Sequence, residues 1–188
     1  SIERRDGPLS VLFYGQFIPL HGVDTIVRAA QMLSDDGVDF LLIGTGQEDS
    51  RIREYLAAVR PSNVQWKAWI EYESLVEYIH RADVCLGIFG TSGKASRVIP
   101  NKVFQIVSAR RPLVTRDSPA IREMFRGDEA GLWLVPPGDP QALADTLRKL
   151  ASSRESLARA PHAEIARLVT PLAIGRNALT ELRRAVEH

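Results

Sequence analysis

Six short apolar, β-favouring runs recur along this chain, at residues 9–14, 39–43, 64–67, 84–88, 112–116 and 132–135. Between them lie stretches with helical spacing of apolar residues, at 23–33, 50–59, 75–80, 102–109 and 119–125. Strands that alternate with helices through short loops pair in parallel, each crossing over right-handed to the next. The pattern predicts an α/β fold: a three-layer, Rossmann-like, doubly wound parallel sheet of about six strands. After residue 135 the strand pattern stops, and 139–151, 153–168 and 171–187 read as C-terminal helices. The whole of 1–188 is read as a single domain.

Local chemistry marks helix starts. Ser118-Pro119 and Asp139-Pro140 each set a capping side chain before a proline at the first helical position. A formal net charge of +1 and no evident basic face leave no footprint for nucleic acid. Cys85 stands alone inside an apolar run and reads as a small core hydrophobe rather than a nucleophile. With no disulfide to form within the chain, a reducing cytoplasm is the expected setting. No apolar run approaches the roughly 20 residues that cross a bilayer. The opening SIERRDGPLS is read as a fragment edge or linker, not a targeting peptide.

In a sheet of this kind ligands bind beyond the carboxyl ends of the strands, so the loops there carry the functional reading. The densest stretch, 84–116, runs strand, loop, helix, strand. Its loop spans 90–97 and holds Gly90, Lys94 and Arg97; Asn101 opens the helix, with Lys102 and Gln105 one turn apart on it. Free N–H groups and the helix dipole at such a start can seat a phosphate. The plainer reading is an ordinary crossover with solvated charges. The first loop carries Gly15, Gln16, His21 and Gly22, and the second Gly44 and Gly46. Glycines there let a ligand come close to the backbone, although Gly44-Thr45-Gly46 lacks the third glycine of a dinucleotide fingerprint and also suits a plain turn. His21 either hydrogen-bonds a ligand or is an ordinary helix-start histidine. Trp69 either stacks on a base or packs against the next helix.

Taken in order, VLFYG, HGVDTIVRAAQML, LLIGTGQE, NVQWKAW, ADVCLGIFG, VIPNKVFQIVSARRPLVT and GLWLVPPGDPQALADTL form a series. It resembles the C-terminal, donor-binding domain of glycosyltransferase family 4 (group 1). That group is retaining and built on the GT-B plan of two facing Rossmann-like domains. The resemblance runs from residue 9 to about 150. It implies that this half clamps a nucleotide-sugar, while an N-terminal domain outside the chain carries the acceptor site. Gln16 and His21 stand where many members place an Arg and a Lys on the donor diphosphate. Gln105 stands where many place the second of two glutamates, the one that holds the ribose, and Arg97 near the place of the first. A glutamine offers both a donor and an acceptor to ribose hydroxyls. Arg97, Lys94 and Lys102 are placed to return the positive charge missing from the first loop.

The implied activity is transfer of a sugar from a nucleoside diphosphate sugar to a lipid-linked or polysaccharide acceptor, in the cytoplasm. The whole protein is expected to make a peripheral contact at the inner face of the membrane. No cofactor or metal is expected, and Asp35-Asp36 before Gly37 reads as a solvated turn. Two other readings stay open. One is a non-catalytic nucleotide- or sugar-binding module, for which Gln105 and Arg97 speak. The other is a GT-B nucleotide-sugar epimerase with His21 and Glu123 as acid and base. In the tail, Ile174, Leu179, Leu182 and Val186 mark an apolar stripe expected to meet the N-terminal domain.

Overall fold

A computed structural model describes residues 7–127 and 129–157, together with His162 and Ala166. The first strand, β1 (Leu9–Tyr14), lies at the centre of a six-stranded parallel sheet. It is flanked by β2 (Val38–Ile43) and then β3 (Val64–Lys67) on one side. On the other side follow β4 (Val84–Leu86), β5 (Leu113–Arg116) and β6 (Leu132–Val135), so the order is β3-β2-β1-β4-β5-β6. The registers Leu12↔Leu41 and Leu12↔Cys85 tie the centre to both neighbours.

Side-chain alternation along β1 explains the three layers. Leu9, Val11 and Phe13 are fully buried toward α1 (Val23–Met32) and α7 (Pro140–Ser152), among Val27, Ala30, Leu143 and Leu147. Leu12 and Tyr14 face the other way. They belong to a second core layer with Ile79 of α3 (Tyr72–Arg81), Val103 and Ile106 of α5 (Asn101–Ser108), and Ile121 of α6 (Pro119–Met124). Each such fully buried Val, Leu, Ile or Phe contributes roughly 1.5–3 kcal/mol. Cys85 is part of this second layer, fully buried, and burial pushes its thiol up to about 12. That is the inert core thiol expected from its position.

Ser118 and Asp139 cap as anticipated, accepting from the N–H groups of Ile121 at 3.3 Å and Ala142 at 2.9 Å. Elsewhere the boundaries move for physical reasons. β4 stops two residues short of the expected run, because the Thr115 hydroxyl enters the ladder. It accepts from the Ile88 N–H at 3.2 Å and donates to the Ile88 carbonyl at 3.3 Å. The stretch read as a continuous loop over 90–97 contains a short helix, α4 (Gly93–Arg97). Ser92 starts it by accepting from the Ala95 N–H at 3.2 Å. α3 begins three residues earlier than its apolar spacing indicated, with Glu73 favourable in its first turn. α7 ends where the Ser153 N–H closes on the Lys149 carbonyl at 3.0 Å. A 3-10 helix, Arg154–Leu157, then stands where an α-helix was expected to begin. The rest of that segment, apart from His162 and Ala166, and the tail 171–187 lie outside the described residues.

Candidate functional site at the carboxyl edge of the sheet

Strand order reverses between β1 and β4, so their following loops diverge and open a crevice at the carboxyl edge. Main-chain bonds knit the loops around it. The Phe17 N–H donates to the Thr45 carbonyl at 3.1 Å, and the Glu48 N–H to the Phe17 carbonyl at 2.9 Å. Across the crevice floor, the Phe89 N–H donates to the His21 carbonyl at 3.0 Å and the Gly138 N–H to the Phe89 carbonyl at 2.9 Å. Backbones this close leave no room for side chains. A Cβ on Gly44, whose φ is +142°, would lie 1.9 Å from the Gly15 carbonyl oxygen. One on Gly90 would lie 2.3 Å from the Pro19 oxygen. Gly46 packs in the same way on the backbone of Phe17. Gly22, left-handed at φ 65°, begins α1 without any side-chain cap, and α5 also begins uncapped after Pro100.

The central group is Lys102. Its Nζ is buried with no hydrogen-bond partner and lies 4.0 Å from the centre of the Phe13 ring. Burial holds its titration well below the usual lysine range. Beside it stands His21, whose Nδ1 lies 2.5 Å from the Gln16 carbonyl. A carbonyl only accepts, so Nδ1 carries the proton and Nε2 keeps a lone pair. Burial, then the charge of Lys102, lowers this ring to about 4, against the pull of the Gln16 carbonyl. On α5 the Lys102 side chain is buried and Gln105 is exposed, and Tyr14 is tied to both residues. Its hydroxyl donates to Gln105 Oε1 at 3.1 Å and to the Lys102 carbonyl at 3.3 Å.

Other expected residues sit farther out. Gln16, Lys94, Arg97 and Asn101 are exposed, and Arg97 donates from Nε to the Gly93 carbonyl at 3.1 Å. Trp69 is 71% exposed, which removes the reading that it packs against the next helix. The tryptophan packed beside these loops is Trp66, stacked on Phe17 at 4.9 Å and donating from Nε1 to the Gly44 carbonyl at 2.8 Å. Arg116, which the sequence reading passed over, is buried at the end of β5 and donates to the Gly90 carbonyl. Its signal was a charged residue closing a β-favouring run. Two hollows lie elsewhere. One, of about 500 Å³, is bordered by Asp39, Asn63 and Arg81; the other, of about 700 Å³, by Asp117, Arg122 and Pro136. Neither borders Lys102 or the uncapped starts of α1 and α5, which the crevice brings together.

The family profile described as "Glycosyl transferases group 1" matches residues 8–153. The chain belongs to the glycosyl transferases group 1 family. Among curated relatives, this group 1 domain is 24% identical over 159 residues to the amylovoran biosynthesis glycosyltransferase AmsK of Erwinia amylovora. The match covers 80% of the chain and 39% of that relative, so the chain spans about two fifths of its length. Among solved structures, it is similar to Anabaena Alr3699/HepE in complex with UDP-glucose, with a TM-score of 0.79 at 14% identity. That match covers 94% of this chain and 49% of the other. It is similar also to the C-terminal domain of the group 1 family protein LpcC from Francisella tularensis, with a TM-score of 0.65 at 14% identity. Here 87% of this chain and 85% of the other are covered. At such identities the likeness is one of fold. Among the described residues no helix is long and apolar enough to cross a membrane.

The His21 environment carries a first prediction. Ring NMR is expected to show His21 neutral down to about pH 4. The unfolded ring titrates near 6.5, so between these values the unfolded chain binds the extra proton. Stability therefore falls as pH drops through this window, by up to about 1.4 kcal/mol per pH unit, and His21→Gln flattens that fall. A ring titrating near its free value would show that it is not buried.

Proposed function

We propose that this chain is the donor-binding, C-terminal half of a retaining, metal-independent, family 4 glycosyltransferase of the GT-B plan. The complete protein would move a sugar from a nucleoside diphosphate sugar to a lipid-linked or polysaccharide acceptor, at the cytoplasmic face of a membrane. The observation that carries this reading is the enclosed lysine beside Gly15 and His21, set where two uncapped helix starts meet the strand-order switch. As the glycosidic bond breaks, negative charge collects on the leaving diphosphate. Lys102, the N–H groups opening α1 and α5, and the exposed Lys94 and Arg97 supply the opposing charge. Gln105 keeps its amide NH₂ free for a ribose hydroxyl while its Oε1 holds Tyr14. Gly15, Gln16, Gly22, Gly44, Gly46 and Gly90 shape the wall, Asn101 opens the helix over the phosphates, and Trp69 offers a bare ring to the base. The likeness to a fold crystallised with UDP-glucose supports a UDP-sugar as the first donor to try.

Calorimetry with UDP-, GDP- and ADP-sugars tests the reading. At about a hundred times the dissociation constant, the bound donor is expected to stabilise the chain by roughly 2.7 kcal/mol. Absence of binding by all three at millimolar concentration would remove the donor site. Binding without transfer by the complete protein would favour the non-catalytic module. Glu123, the partner that the epimerase reading gives His21, lies exposed on α6, after β5 and two strands from the loop of His21.

A further inference from the structure

Lys102 presents a problem that the donor reading alone does not solve. Its Nζ is enclosed and without a hydrogen-bond partner, 4.0 Å from the Phe13 ring centre and 5.9 Å from that of Tyr14. A methyl on Gly15 would stand 2.7 Å from Nζ and 3.3 Å from His21 Cε1, so the half-buried Gly15 backbone lies against the amine on the side of the His21 ring. The ionisable groups facing it are Tyr14 on β1 and His21 in the loop that follows; on α5 its neighbour one turn on is the neutral Gln105. Among the described residues no carboxylate contributes to its titration, which burial alone displaces. An aromatic face attracts an ammonium, yet it does not replace the three hydrogen bonds that water gives.

We propose that the empty site holds Lys102 as a neutral amine, and that entry of the donor diphosphate charges it with one proton taken from solvent. This rests on the donor reading above and adds to it a linkage between binding and pH. The balance is simple: the Nζ lone pair accepts a solvent proton, and the ammonium then pairs with a phosphate oxygen, whose charge stabilises it. At pH 8 the side chain so becomes positive only when an anion is present to meet it, whereas in the acid range where His21 titrates it is already charged. A neutral nucleoside gains nothing from it.

Two measurements test the linkage. In the unliganded protein, ¹³Cε NMR of lysine is expected to show Lys102 as a free amine at pH 8. Calorimetry of UDP-glucose in two buffers of different ionisation enthalpy is then expected to show about one proton taken up per donor bound. A sugar nucleotide suits this because both its phosphates are esterified and lack the ionisation near pH 6 of a terminal phosphate. Affinity falls about tenfold per pH unit while uptake is complete. Lys102→Met is expected to abolish the uptake and flatten the pH dependence. Should Lys102→Met not fold, the wild-type measurements still decide. An ammonium in the empty protein, or donor binding without proton uptake, overturns the linkage and leaves the donor reading standing. Failure of every sugar nucleotide to bind overturns both.

Discussion

Alanine at Gly44 is expected to cost the fold more than about 3 kcal/mol, which for a chain of this size lowers Tm by about 6–12 °C. The new Cβ would meet the Gly15 carbonyl oxygen at 1.9 Å and its carbon at 2.9 Å. Both are backbone atoms, locked by neighbouring rungs of the sheet: the Gly15 N–H on Ile43 and the Gly44 N–H on Lys67, each at 2.9 Å. Neither can swing aside as a flexible side chain would. A φ of +142° adds a further strain of about 1–3 kcal/mol for any residue with a Cβ. Urea denaturation measures the total. A loss below about 1 kcal/mol would show that the loops after β1 and β2 yield easily and do not define the crevice.

Phe17→Ala is expected to be as damaging, at about 3–5 kcal/mol, and to reach the site as well. Phe17 is fully buried although it belongs to a loop. It stacks on Trp66 at 4.9 Å and meets Phe13 at 6.1 Å, while the Arg53 guanidinium covers the Trp66 ring at 4.3 Å. The ring thus serves as the peg that fixes the span between Gly15 and Gly22. Donor affinity should fall at least tenfold in whatever fraction stays folded, since that span forms one wall of the crevice. Phe17→Leu, which keeps most of the volume, is expected to lose less than about 1.5 kcal/mol and to bind nearly normally. Equal damage from both replacements would point to the aromatic stack, rather than the filled space, as the fixing element.

The layers could be read from the residues, because strand and helix periodicities differ and short loops constrain the crossovers. What escaped were long-range substitutions of one bonding group for another. Thr115 ends β4 through a hydroxyl contributed from the neighbouring strand, and nothing in residues 84–88 announces it. The helix α4 is too short for its spacing to show. For Lys102 the signal was present. It precedes Ile106 by four places, so it lies on the apolar stripe of α5, where a charge is enclosed rather than solvated. Trp69 drew notice as the tryptophan nearer the loop. Trp66 shares a face with Val64 by the twofold strand period, and that alternation points it inward.

The central position of β1 also bears on how the chain is made. One edge of β1 pairs with β2, whose sequence follows soon after, but the other waits for β4, as in Leu12 with Cys85. Roughly seventy residues separate those partners. At a synthesis rate of about 5–20 residues per second, the far edge of β1 is bare for about 4–14 s on the ribosome. During that interval this central strand of the sheet offers unpaired N–H and C=O groups to any extended segment nearby. The residues from α2 (Asp49–Val59) through α3 are translated in that time. How fast they settle against the half-formed sheet therefore governs how much of the nascent chain escapes misassociation.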